Sequence, residues 1–376
     1  MHNRPPMGWN SWNTFGADIN ENLIRETVDS MVASGLKDYG YEYVVIDDCW
    51  SLKQRDDKGR LVADPEKFPN GMKAVGDYIH EKGMKFGMYS CAGNLTCAGY
   101  PGSFEHEFTD AETFASWGVD YLKYDYCYHS PIIAGKYLYR RMGLALKNSG
   151  RDILFSACSW GADETHEWIK TTGADMWRST GDIFDTWDSV KDLTDQQEKL
   201  FPYNGIGCFN DMDMLIVGMH GRGNVGLKGC TDQQYRTHFS IWSLIGSPLM
   251  IGCDVRNMSE ETKATLMNKD IIAIDQDEAY RQPFPLTGMM FNRDGVRVYA
   301  RFLENGDVAI GCFNLEDSEV SVRFNLDEVG LPISTGKTLC LGELWSGKTV
   351  RALHGTVMYD LKPFGSAVFR GKVSSL

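Results

Sequence analysis

Several features that would announce other chemistries are missing from this chain. It has ten cysteines, at 49, 91, 97, 127, 158, 208, 230, 253, 312 and 340, yet no two stand in a Cys-x-x-Cys pair. The ligand spacing of a structural zinc site is therefore absent, and most of these thiols read as small buried apolar residues. No GxGxxG or GxxxxGK[ST] loop offers a cradle for phosphates. There is no HExxH, no Ser-His-Asp pattern and no histidine cluster among the eight His. No apolar run approaches the ~18 residues of a membrane span, so no membrane partner is expected. Basic residues are outnumbered, 38 Lys and Arg against 51 Asp and Glu, and the net charge of −13 repels phosphate backbones. Nucleic acid is thereby disfavoured as a partner. The first six residues carry no charged-then-apolar leader. The expectation is a cytoplasmic protein, or a secreted one whose signal has been removed.

What is present is an alternation. Apolar strand-like runs stand at 7–12, 43–47, 85–89, 119–124, 153–157, 176–179, 206–209 and 248–251, with amphipathic stretches between several of them. Residues 24–34 place Ile24, Val28, Met31 and Val32 on one face at helical spacing. Stretches 70–82, 110–117 and 235–245 read likewise, and Thr109 with Glu112 has the form of a capping box. Eight strands alternating with helices have the size and rhythm of an α/β (β/α)8 TIM barrel over residues 1–279. The alternative, a doubly wound open sheet, would carry a glycine-rich turn after its first strand. After about residue 280 the texture changes to short strands, near 296–302, 308–313, 320–324, 338–344 and 366–369. Turn signals at 292–295, 304–306 and 345–347 separate them. Strands without intervening helices predict a C-terminal antiparallel β-sandwich over 280–376.

In a barrel the reactive groups stand just past the strand ends. Those tips hold Trp12; Asp47, Asp48 and Trp50; Tyr89 and Cys91; Lys123 and Asp125; Ser159 and Trp160; Arg178 and Asp182; Asp211 and Asp213; and Asp254. Carboxylates between aromatic walls fit glycoside hydrolysis, which needs two carboxyl groups flanking a sugar carbon. A hard-cation site built from Asp47, Asp48, Asp211 and Asp213 is the rival. Lys123, two residues from Asp125, would favour its ionised form, as a nucleophile requires. Gly181 would let the backbone turn and aim Asp182 inward. Asp185 and Asp188 read as a helix-start cluster.

Six motifs carry a resemblance: Pro6-Met-Gly-Trp-Asn-Ser-Trp12, Ile46-Asp-Asp-Cys-Trp50, Thr96-Cys-Ala-Gly-Tyr-Pro-Gly-Ser103, Trp117-Gly-Val-Asp-Tyr-Leu-Lys-Tyr-Asp125, Asn210-Asp-Met-Asp-Met214 and Leu344-Trp-Ser-Gly347. In this order, over essentially the whole chain, they resemble glycoside hydrolase family 27, the α-galactosidases and α-N-acetylgalactosaminidases. The resemblance implies a retaining, exo-acting α-galactosidase without cofactor. It implies Asp125 as nucleophile and Asp182 as acid/base, with Trp12, Asp47, Asp48, Tyr89, Lys123 and Arg178 around the sugar; Trp160, at a strand tip, is a further candidate. Cys97 and Cys127 match a pair that forms a disulfide beside the pocket. The expected partner is a small carbohydrate, with a homo-oligomer left open.

The chain departs from the family pattern at three places. Ala17 and Ala174 stand where secreted animal members place disulfide partners for Cys49 and Cys158, and Met212 replaces a usual proline. Ser159 and Ala162 replace a glutamate and a larger residue. That small pair matches α-N-acetylgalactosaminidases, which makes this activity the first alternative and β-L-arabinopyranosidase the second. A non-catalytic sugar-binding protein is the alternative from another class, though such a protein has no need of two acids.

Overall fold

The computed structural model describes residues 3–287 and 294–376. Its organising sheet is built from β1 (Met7–Asn10), β2 (Tyr43–Val45), β3 (Lys85–Cys91), β4 (Tyr121–Asp125), β5 (Leu154–Cys158), β6 (Met176–Arg178), β7 (Phe209–Asp211) and β8 (Leu249–Ile251). All neighbours are parallel, in the order β7-β6-β5-β4-β3-β2-β1-β8. The ring closes through the segment after β7, where the Leu215 N–H donates to the Met250 carbonyl at 2.7 Å. Helices cover the outside, so the strands are buried almost throughout and read as continuous apolar runs rather than alternating ones. Among the described residues no helix is long and apolar enough to cross a membrane.

Local chemistry explains several boundaries. Asn20 accepts from the Leu23 N–H at 3.0 Å and starts helix Glu21–Ala33, which buries Ile24, Val28 and Met31. Val32, expected on that buried stripe, is exposed, because the covered face is narrower than the apolar run. The helix after β3 spans Glu107–Trp117, so the expected cap at Thr109 falls inside it; the Thr109 carbonyl accepts from the Thr113 hydroxyl instead. Helices Gly135–Lys147 and Trp187–Glu198 complete the alternation where the sequence pattern was weak.

Beyond the barrel, β9 (Phe284–Pro285), β10 (Val296–Phe302), β11 (Val308–Asn314), β12 (Val320–Asn325), β13 (Lys337–Glu343), β14 (Thr349–Arg351), β15 (Thr356–Leu361) and β16 (Ser366–Ser375) form two antiparallel sheets. One runs β14-β13-β16-β11-β10-β9, and the other is the pair β12-β15. Alternation along β10 decides what each face covers. Val298 and Ala300 join Val322, Phe324 and Val357 between the sheets, whereas Tyr299 turns to the barrel's core. Side chains from the barrel fix this contact: Trp187 Nε1 donates to the Leu315 carbonyl at 2.9 Å, and Thr237 Oγ1 to the Phe364 carbonyl at 2.7 Å. Of the turn expected at 292–295, residues 292 and 293 lie outside the described residues.

Candidate active site

A cavity of about 300 Å³ opens at the C-terminal ends of the barrel strands. A larger hollow of about 760 Å³ lies at the opposite ends, beside Met7, Tyr43 and Leu154. The smaller cavity is the candidate, because buried carboxylates and cations converge there and barrel chemistry is carried on that face. It is lined by Trp12, Asp47, Asp48, Tyr89, Lys123, Asp125, Trp160, Arg178 and Asp182, as the sequence led one to expect.

One wall comes from β2, β3 and β4. Asp125 ends β4, with the Tyr89 hydroxyl donating to its Oδ2 at 3.0 Å and the Tyr126 N–H to its Oδ1 at 3.1 Å. Lys123 does not bond Asp125. Its Nζ donates to Asp47 Oδ2 at 2.8 Å, joined there by Asn10 Nδ2 at 2.7 Å. Residues two apart on a strand share a face, yet the ammonium reaches past β3 to the end of β2 for its partner. Burial consequently pushes the Asp125 carboxyl up to about 6, more than the nearby Lys123 pulls it down, with Asp47 and Asp182 adding to the rise. Lys123 does favour the ionised form of Asp125, as expected, but burial outweighs it. Asp48 is also pushed up by burial, although the Ala98 N–H donates to its Oδ2 at 2.9 Å.

Ala98 belongs to a loop pinned by the Cys97–Cys127 disulfide, whose Cα atoms are 5.1 Å apart. Gly93 makes the pinning possible: a Cβ there would stand 2.1 Å from the Cys127 carbonyl oxygen, so only glycine lets the two backbones approach.

The other wall comes from β6 and β7. Arg178 ends β6 and is nearly fully buried. Its guanidinium reaches Asp182 Oδ1 at 2.8 Å, the Gly181 carbonyl at 2.8 Å and Asp213 Oδ1 at 2.9 Å. Burial pushes the Asp182 carboxyl up, but the Arg178 charge and hydrogen bond outweigh it and hold the group below its ordinary value. The Asp182 side chain keeps 63% of its surface in solvent. Gly181 is not in the left-handed region; Arg178, rather than a glycine turn, fixes the direction of the carboxyl. Asp213 carries a positive φ of 77° and also accepts from the Ile183 N–H at 2.8 Å, tying the Asp182 loop to β7.

Two expected groupings are rearranged. Asp47 and Asp213 face cations, Lys123 and Arg178 respectively, so ion pairs take two of the four carboxylates of the alternative metal site. Asp254 bonds Arg256 and lies outside the cavity lining. Ser159 and Ala162 do not line the cavity either. Ser159 is fully buried with its hydroxyl 2.7 Å from Thr165 Oγ1, which in turn donates to the Ala162 carbonyl. Cys158 and Trp160, on either side, do line it.

Asp185 is the residue whose role sequence reading missed. It is fully buried and accepts from the Gly221 N–H at 2.6 Å and the Tyr235 hydroxyl at 2.9 Å. It thereby anchors the 218–230 loop, which contributes Asn224 and Val225 to the cavity. Asp188 does sit in the first turn of Trp187–Glu198. The sign that separated the two was the β-bridge position of Asp185 beside Gly226, which no local pattern displays.

Comparison with known proteins follows the same division. Residues 4–277 match the family model described as alpha galactosidase A, and residues 293–370 match the alpha galactosidase C-terminal beta sandwich domain. The α-galactosidase of Cyamopsis tetragonoloba is 43% identical over 95% of this chain and 83% of its own length. α-Galactosidase A of Cellvibrio japonicus is 44% identical over 85% of this chain and 78% of its own. The crystal structure of α-galactosidase I from Mortierella vinacea superposes with a TM-score of 0.92 at 33% identity, covering 100% of this chain and 98% of that one.

Proposed function

The chain belongs to glycoside hydrolase family 27, the α-galactosidase family, and from that premise we propose that it releases terminal α-linked galactose with retention, using Asp125 as nucleophile and Asp182 as acid/base. The observation that carries the reading is the convergence of these two carboxyls on one cavity at the C-terminal ends of the barrel strands, Asp125 from the β4 wall and Asp182 from the β6 wall. Asp125 is buried and oriented by Tyr89, as a nucleophile must be; Asp182 is exposed enough to meet both a leaving group and water. Asp182 would first protonate the leaving oxygen while Asp125 attacks the anomeric carbon. It would then take a proton from water, which releases the sugar from Asp125. Lys123, Asp47 and Asp48 offer a charged hydrogen-bonding edge for hydroxyls, and Trp12 an apolar face.

The shifts imply that the free enzyme holds its proton on the wrong carboxyl. Between the lowered value of Asp182 and the value of about 6 for Asp125, the pair keeps one proton, mostly on Asp125. Catalysis needs it on Asp182, a minor tautomer of the same charge state. kcat/KM therefore follows the singly protonated pair and falls as pH rises through about 6, where that proton leaves.

The test of substrate is a rate comparison on p-nitrophenyl α-galactoside and the matching α-N-acetylgalactosaminide. Preference for the galactoside supports this reading. Preference for the N-acetyl sugar would transfer the assignment to α-N-acetylgalactosaminidase and show that the small residues Ser159 and Ala162 set the pocket after all.

A further inference from the structure

The cysteines beside the cavity have a capacity beyond holding a loop. One ligand atom each from Cys97, Cys127 and Asp125 lies within 4.8 Å of the other two. Two sulfurs and a carboxylate oxygen are the donor set of a thiophilic metal such as Zn²⁺ or Cd²⁺. While the disulfide stands, neither sulfur can serve as a thiolate ligand. Both cysteines reach solvent, and Cys97 lines the cavity, so a small dithiol can attack the bond.

We propose that reduction of Cys97–Cys127 unmasks a Cys–Cys–Asp metal site that closes the active centre by occupying Asp125. The inference rests on the reading of Asp125 as nucleophile. The chemistry balances in two steps. A dithiol reductant gives up two electrons and two protons, becoming its own disulfide, and leaves Cys97 and Cys127 as thiols. A divalent cation then displaces both thiol protons and bonds two thiolates and the Asp125 carboxylate. Around a tetrahedral ion with bonds of about 2.3 Å to sulfur, the sulfurs sit roughly 3.8 Å apart. That separation is out of reach in the disulfide and within reach once it opens.

Six of the seven buried free cysteines lie outside the cavity lining, and Cys340, though exposed, lies on β13 in the sandwich. Cys158 also borders the cavity and is the competing thiol.

The test uses the whole protein, oxidised or reduced anaerobically with a dithiol that is then removed, and titrates it with Cd²⁺. Activity on p-nitrophenyl α-galactoside and cadmium–thiolate absorption are read together. Reduced protein is expected to gain one equivalent of cadmium–thiolate absorption and lose at least tenfold in activity, both reversed by a chelator. Oxidised protein and Cys97→Ser/Cys127→Ser should do neither. Asp125→Asn, when reduced, should bind Cd²⁺ more weakly. The absorption arm decides the matter even where reduction or a substitution itself lowers activity. Equal absorption in the double variant, or its loss in Cys158→Ser alone, would overturn the proposal. Activity surviving in Asp125→Asn would instead overturn the nucleophile assignment, a separate failure.

Discussion

The two walls of the cavity handle the same problem, an acid beside a cation, with opposite results. On the β4 wall Lys123 is two residues from Asp125 but bonds Asp47, so burial wins and Asp125 rises to about 6. On the β6 wall Arg178 is four residues from Asp182 and does bond it, at 2.8 Å, so the cation wins and Asp182 is held down. Separation along the chain is a poor guide to which acid a cation serves. What decides is the partner another strand offers: Asp47, past β2 and two strands from β4, takes Lys123, whereas Asp213, past β7 beside β6, shares Arg178 without displacing Asp182.

The comparison breaks most severely if Asp125 is not the reacting group. Asp125→Asn should lower kcat by roughly 10⁴-fold or more, as loss of a covalent nucleophile does, with the fold unchanged by circular dichroism. A residual rate near that of wild type would end the assignment.

Next in size is the β6 wall. Arg178→Met strands the Asp213 carboxylate, whose side chain is only 6% exposed. Breaking a buried ion pair costs about 3 kcal/mol or more, so denaturant titration should show a large drop in stability along with lost activity. An unchanged midpoint would mean that the pair is not a structural tie.

Lys123→Met sharpens the contrast. Removing the ammonium takes away the group that pulls Asp125 down, so its value climbs and the pair keeps its proton to higher pH. The alkaline limb of kcat/KM should move up from about 6, while the rate falls roughly 10- to 100-fold from loss of a charged hydrogen bond. A limb that moves down would show that Lys123 does not act on Asp125.

The smallest effect is expected behind the site. Asp185 accepts from the Gly221 N–H on Oδ2 and from the Cys230 N–H on Oδ1, with the Tyr235 hydroxyl near both, and Asp185→Asn replaces one of these oxygens with a donor. Stability should fall by about 1–3 kcal/mol, the range for an orphaned buried partner, and KM should rise more than kcat falls, because the disturbed loop carries Asn224 and Val225. Equal loss in kcat would place Asp185 closer to the chemistry than its contacts do.

Much of this arrangement was legible beforehand. Barrel strands buried on both faces leave apolar runs that stand out in sequence, and the tips of those runs point to Asp47, Asp125 and Arg178. The sandwich strands β10 to β13 showed themselves by closely spaced apolar segments. The short strands β14 and β15 did not, being edge strands with much of their surface exposed. Helix Trp187–Glu198 was hidden by its polar majority, and Asp185 by partners as distant as Tyr235. Ser159 could be read as a residue of small size but not for its direction, since its hydroxyl turns to Thr165 only in the folded chain.

The claim that Asp125 attacks the sugar is tested most directly by trapping. A fluorinated α-galactosyl fluoride, whose inductive pull slows release of the enzyme-bound sugar, should inactivate the protein with time. Mass spectrometry of the digest should then find one galactosyl adduct, on the peptide carrying Asp125. An adduct on Asp182, or turnover with no adduct while the enzyme remains active, would contradict the account.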